Sequence, residues 1–146
     1  MDLRAATRDN RPAIRGLLQD SGLHVGDLDT AAIEFLVIVQ DRTVVGAVGV
    51  ERYGDTGLLR SLAVRADRRG LGVGARLVDA MEAHAASNGM RHLVLLTETA
   101  APFFAQRGYA VTQRHHAPAA VQAGAEFRSL CPASATCMIK PLETVP

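Results

Sequence analysis

The chain has 146 residues, 48% of them hydrophobic and 21% charged, with a formal net charge of +1. This size and balance predict one globular domain over residues 1–146 that buries a core without staples, and a near-neutral charge argues against an extended nucleic-acid footprint. No apolar run approaches the roughly 20 residues of a membrane span, so neither nucleic acid nor membrane is an expected partner.

Lys140 is the only lysine, a usage that reads as a compositional bias of the whole chain rather than a demand of one site. Cys131 and Cys137 match no zinc spacing and form no CxxC, so no metal is expected. The N-terminus lacks the basic-then-apolar layout of a secretory signal. A reducing, cytoplasmic setting is the expectation.

In chain order, residues 3–7 can be extended and lead into a helical signal. Asp9 or Asn10 can cap it, Pro12 suits its first turn, Ile14, Leu17 and Leu18 follow at helical spacing, and Gly22 stops it. Residues 21–30 read as a loop or a broken second helix. Residues 35–40 and 44–51 form strand signals joined by a tight turn at Asp41-Arg42. Turn chemistry at 53–57 leads to a third strand over 58–64, so the three make an antiparallel meander. From about Gly72 a strong helix follows, with Val73, Leu77, Met81 and Ala85 on one face and a stop at Asn88-Gly89. Residues 92–97 are a nearly continuous apolar strand of the kind buried on both faces. A short helix over 102–107, a strand over 109–113, a helical turn over 118–122 and a last strand over 136–141 complete an α+β chain with a mixed, mostly antiparallel sheet flanked by helices.

Residues 65–74 are basic and rich in glycine, between a strand and a strong helix. Small residues there let consecutive backbone N–H groups converge at a helix N-terminus, a nest for an anion. Arg68 and Arg69 add charge-assisted donors, and a pyrophosphate is the expected ligand. A Walker A reading fails because Gly74 is followed by Ala75-Arg76 rather than Lys-Ser/Thr. A dinucleotide-binding loop would follow the first strand of a βαβ unit, whereas three antiparallel-type strands precede this one.

The run Arg69-Gly70-Leu71-Gly72-Val73-Gly74 resembles the Arg/Gln-x-x-Gly-x-Gly/Ala loop of the GCN5-related acetyltransferases (GNAT superfamily). Leu62-Ala63-Val64 precedes it as that family's cofactor strand does. Residues 101–109 (Ala-Pro-Phe-Phe-Ala-Gln-Arg-Gly-Tyr) resemble the family's late aromatic-pair signature. The resemblance covers roughly residues 1–114. A closer likeness runs through 51–54, 58–62 and 129–135 with Cys137-Met138. These stretches resemble acetyltransferases associated with arsenic-resistance operons, a subgroup related to enzymes that acetylate phosphinothricin and its arsenic analogue.

This resemblance implies the GNAT acyl-CoA acyltransferase fold, acetyl-CoA as cofactor and a small-molecule amine as partner. It also implies a site where two parallel strands splay apart. Leu62, Ala63 and Val64 would present backbone groups to the pantetheine arm. Arg69, Gly70, Leu71, Gly72, Val73, Gly74 and Ala75 would hold the pyrophosphate. The amine would attack the thioester directly, with a backbone N–H near Ala63 steadying the developing oxyanion. Related enzymes also often form homodimers, which the last strand and residues 117–125 would support.

An alkylammonium must lose a proton before attack. Glu51 is the first candidate base, balanced against a solvated strand-end carboxylate; Glu98 is second. His115 and His116 would point to opposite sides of an extended chain and read as surface-loop residues. Phe104 is assigned to the cofactor site, and it occupies the position where the family often has a tyrosine that protonates the departing thiolate. Phenylalanine cannot donate, so water, Tyr109, Ser129 or unassisted departure must serve. Arg60 is the candidate substrate clamp for a carboxylate or arsinate-type oxyanion. It shares strand parity with Leu62 and Val64, and a solvated surface role competes for it, as for Arg8, Arg11 and Arg15. An arsenite site on Cys131 and Cys137 is outweighed by buried reduced cysteines. A catalytically silent acyl-CoA-binding domain and a protein N-acetyltransferase are the competing functions.

Overall fold

The computed structural model describes residues 1–124 and 134–143. Within them the chain runs β1 (Asp2–Ala5), α1 (Arg11–Asp20), β2 (Ile33–Gln40), β3 (Thr43–Tyr53), β4 (Thr56–Val64), α2 (Val73–Ser87) and β5 (His92–Thr97), then α3 (Ala101–Ala105), β6 (Ala110–Thr112), α4 (Ala119–Gln122) and β7 (Thr136–Pro141). The strand order is β1-β2-β3-β4-β5-β7-β6. β4 and β5 run parallel, and the pairs β1–β2, β2–β3, β5–β7 and β6–β7 are antiparallel. The fold is the expected α+β arrangement of a mostly antiparallel sheet flanked by helices.

Two compact units divide the chain: Met1–Glu51 with Leu59–His84, and Arg52–Leu58 with Ala85–Pro146. In the first, the β2–β3 register sets Phe35 opposite Gly49 and Ile38 opposite Gly46. Side chains alternate across a strand, so the two pairs lie on opposite faces. One face packs Ile33, Phe35, Val37 and Ala47 with Ile14, Leu17 and Leu18 of α1. On the other, a Cβ at Gly46 would meet Leu77 Cδ1 and Val73 Cγ1 at 2.9 Å, so α2 lies directly on the backbone of β3. Burial on both faces explains why β2 is apolar almost throughout. Leu77 is fully buried. Truncating it to alanine is expected to cost about 2–5 kcal/mol, read as a lower urea midpoint with an unchanged m-value.

The turn at Asp41-Arg42 forms as expected and joins Gln40 to its partner Thr43. Both turn residues are left-handed, with φ of 52° and 64°, matching the type I′ geometry that suits the twist of a hairpin.

In the second unit the β4–β5 ladder comprises Thr56↔His92, Gly57↔Leu93 and Leu58↔Val94, whereas β5 pairs with β7 along all its length, from His92↔Pro141 to Thr97↔Thr136. Leu58, Val94, Ala117, Val121 and Cys137 form that unit's apolar cluster. Residues 21–32 hold no second helix; they cross in turns, and Leu28 is buried.

Candidate active site

Ser61, in the middle of β4, has φ of 58°. A left-handed residue inside a strand breaks the two-residue alternation and re-aims the side chains after it. Arg60 and Ala63, three apart, are therefore both buried, while Leu62 and Val64 are half-exposed. The face of Arg60, which its parity with Leu62 and Val64 left open, is a buried one, whereas those two are half-exposed.

After β4 the chain makes a 3-10 turn at Ala66–Arg68 and enters the glycine loop. Gly70 and Gly72 adopt φ of 79° and 80°, a region open to glycine at little steric cost. A Cβ at either would meet nothing within 4 Å, so backbone conformation alone demands glycine there. The first helical bond of α2 runs from Arg76 N–H to the Gly72 carbonyl at 3.0 Å. The N–H groups of 72–75 precede it and have no partner inside the helix. They head a 15-residue helix, whose dipole favours negative charge at this end.

The arginines around the loop are held in place. Arg69 Nε donates to the Val64 carbonyl at 3.1 Å, Arg68 Nε to Gln40 Oε1 at 2.7 Å, and Arg65 pairs with Asp67 at 2.6 Å. Leu71 is 63% exposed and Val73 is buried, so within the motif Leu71 points outward while Val73 anchors the helix in the core. Backbone donors at a helix start, two left-handed glycines and the nearby guanidinium groups of Arg65, Arg68 and Arg69 suit a phosphate-type anion such as the pyrophosphate of coenzyme A.

Glu51 and Arg60 meet. Arg60 Nη1 donates to Glu51 Oε1 at 2.6 Å and to Asp27 Oδ2 at 2.5 Å, and its Nη2 donates to Asp27 Oδ1 at 2.7 Å. The Arg60 and Asp27 residues are 4% and 7% exposed, and the Glu51 side chain 12%. A solvated role for Arg60 is thus wrong, because a polar cluster satisfies it inside the unit. The hydrogen bond from Arg60 holds the Asp27 carboxyl below its ordinary range, against desolvation that pushes it up. A depressed folded-state value means stability present above the unfolded value of about 3.9 and lost as pH falls below it. The stability gap between wild type and Asp27→Asn is expected to hold from neutral pH to about pH 4 and to narrow below it, measured by denaturant midpoints across that range.

Sequence reasoning missed Asp27. Its only signal was an acidic residue in a polar turn segment, and nothing local reveals that the segment folds over Arg60. Arg11 is half-buried rather than solvated, whereas Arg15 keeps the surface role expected for it. Arg11 donates to the Leu28 and Ile33 carbonyls and lies over the Phe35 ring; Arg15 pairs with Asp29 at 2.8 Å. Arg8 is exposed.

In the second unit Phe104 is buried and packs edge-on against Phe103 and Tyr109. Tyr109 is buried too, with Lys140 over its ring. Glu98 is exposed just after β5. His115 and His116 lie in a 3-10 turn, not in an extended segment, and their rings touch at 4.3 Å, which corrects the expectation that they diverge. Cys137 is a buried free thiol whose proton burial holds on to. Ser129 and Cys131 lie outside the described residues. Among the described residues no helix is long and apolar enough to cross a membrane, and no three metal-ligating side chains cluster.

A model of the acetyltransferase (GNAT) domain matches residues 31–111, more than half of the chain. The chain belongs to the GNAT family of acetyltransferases. Among solved structures it is similar to N-acetylglutamate synthase from Neisseria gonorrhoeae complexed with coenzyme A and N-acetyl-glutamate, with a TM-score of 0.84 at 22% identity over 97% of this chain. This chain spans about a third of that synthase, 35% of its length. A protein from Mycobacterium tuberculosis in complex with CoA and NLQ matches with a TM-score of 0.82 at 23% identity, covering 98% of this chain and 100% of that one. An aminoglycoside 6'-N-acetyltransferase complexed with coenzyme A matches at 0.75 and 17% identity, covering 100% and 99%.

Proposed function

We propose that this protein transfers an acetyl group from acetyl-CoA to the primary amine of a small, amino-acid-like molecule. The observation that carries the reading is the loop at residues 69–75, where left-handed Gly70 and Gly72 leave a bare backbone nest at the start of α2, directly after β4. Membership of the GNAT family supports acyl transfer. Coenzyme A in the neighbouring structures supports the donor, and N-acetyl-glutamate in one of them supports an amino-acid acceptor.

Acetyl-CoA supplies an activated carbonyl carbon. The N–H groups of 72–75 and the nearby Arg68 and Arg69 bind its pyrophosphate. The backbone of Leu62, Ala63 and Val64, redirected by Ser61, lines the path from that nest along β4. Glu51, at the end of β3, receives the proton that the acceptor ammonium must lose. Phe104 offers no proton to the departing thiolate, and a thiolate of a CoA-like thiol is stable enough to leave without one. A reducing, cytoplasmic setting belongs to the same proposal.

The finer likeness of residues 51–54 and 58–62 to the arsenic-resistance subgroup directs the acceptor search towards phosphinothricin-like amino acids. The test is CoA release over a panel of those compounds, common amino acids, other amines and peptides. Turnover on the amino-acid analogues is expected. Turnover on peptides alone would make it a protein N-acetyltransferase. Acetyl-CoA binding with no release from any amine would make it a silent binding domain.

A further inference from the structure

Arg60 is a poor clamp for substrate because its whole guanidinium is engaged. Both Nη atoms serve carboxylates, and Nε donates to Ser61 Oγ at 3.1 Å. The carboxylates of Asp27 and Glu51 thus already occupy the guanidinium that an oxyanion of substrate would need. The three side chains come from three separate places: the end of β3, the middle of β4 and the turn segment after α1.

We propose that Arg60 and Asp27 are positioning residues for Glu51. Asp27 braces the guanidinium with a two-pronged bond, and the guanidinium in turn fixes one oxygen of Glu51 at the end of β3. Glu51 accepts one N–H proton from the acceptor's ammonium, and the nitrogen keeps the electron pair with which it attacks. Folding of residues 21–32 is thereby coupled to the readiness of the base. This rests on the acetyl-transfer reading given above.

Two other charged side chains of the described residues also bear on the triad. His24 acts electrostatically on Asp27 from the same segment. Arg11 of α1 holds the carbonyl of Ile33, the residue opposite Glu51 in the β2–β3 register. Neither offers a hydrogen bond that replaces Arg60.

The test compares Asp27→Asn and Arg60→Lys with wild type. Removing the Asp27 charge takes away a negative charge that shares Arg60 Nη1 with Glu51, so the carboxylate of Glu51 is stabilised and the acidic limb of the pH profile of kcat/KM moves down by about one unit. Lysine keeps the charge of Arg60 but is a point donor and cannot span both carboxylates. Its kcat is expected to fall roughly tenfold or more, with KM for acetyl-CoA unchanged within about twofold. The side-chain carboxyl of Glu51, titrated by 13C NMR in wild type and Asp27→Asn, reads the same shift without turnover. That titration separates the two claims: a shift in an enzyme that acetylates nothing sinks the functional reading and keeps the triad. An unmoved Glu51 titration in folded Asp27→Asn overturns the positioning role. So does an Arg60→Lys variant whose loss lies wholly in KM for the amine, the signature of a substrate clamp.

Discussion

Replacing Gly72 with valine is expected to weaken acetyl-CoA binding roughly a hundredfold while the protein still folds. Gly72 sits at φ of 80° with open space where a Cβ would stand. The penalty is therefore conformational and not steric. A non-glycine residue in that region costs about 1–2 kcal/mol, and a β-branched one resists it further. The chain will escape that cost by turning the loop to negative φ, which carries the N–H groups of 72–75 out of convergence. Losing two charge-assisted hydrogen bonds at about 1.5 kcal/mol each gives the hundredfold by the usual conversion. Gly16→Ala is the control: Gly16 lies inside α1 with nothing within 4 Å of a built Cβ, and alanine there should leave cofactor binding unchanged. Calorimetric titration of both variants with acetyl-CoA decides the matter.

The largest expected loss of stability is at Arg60. Arg60→Met removes the one guanidinium that Asp27 and Glu51 share. Two carboxylates that are almost fully buried lose the guanidinium from which both accept hydrogen bonds. Breaking a buried pair in this way costs about 3–5 kcal/mol, equivalent to a melting point lower by roughly 6–20 °C for a chain of this size. The sign of its pH dependence is informative. In the variant the Asp27 carboxyl loses the hydrogen bond that holds it low, and the desolvation that pushes it up is left unopposed by Arg60. The deficit is then greatest at neutral pH and shrinks on acidification, as the carboxyls take up protons. Thermal melts of wild type and variant at neutral and mildly acidic pH check both size and sign. A deficit independent of pH would mean that packing of the arginine stem, and not charge, is what the site loses.

Much of the architecture was legible in the sequence because it is written in local terms. The periodicity of Val73, Leu77, Met81 and Ala85 gave α2, and alternating strand signals broken at Asp41-Arg42 gave the hairpin. Gly70 and Gly72 stood out because a left-handed backbone before a helix selects glycine by itself. The acid–base cluster was only half legible. Glu51 was visible by its place at a strand end, but Asp27 was not, since residue type in a turn says nothing of what the turn covers. The face of Arg60 stayed open for a definite reason. Parity counting assumes every strand residue is extended, and Ser61 is not; nothing about a serine announces that. His115 and His116 are exposed, as a surface-loop role requires, but the extended backbone assumed for them is a 3-10 turn.

The central claim is that the loop at 69–75 binds an acyl-CoA, and thermal unfolding with and without acetyl-CoA tests it most directly. A ligand that binds only the folded state must raise its stability, by about 2.7 kcal/mol at a hundred times its dissociation constant. A rise in melting temperature that grows with acetyl-CoA concentration, and that Gly72→Val moves to roughly a hundredfold higher concentration, is the result expected here. An unchanged melting temperature at millimolar acetyl-CoA would contradict the account.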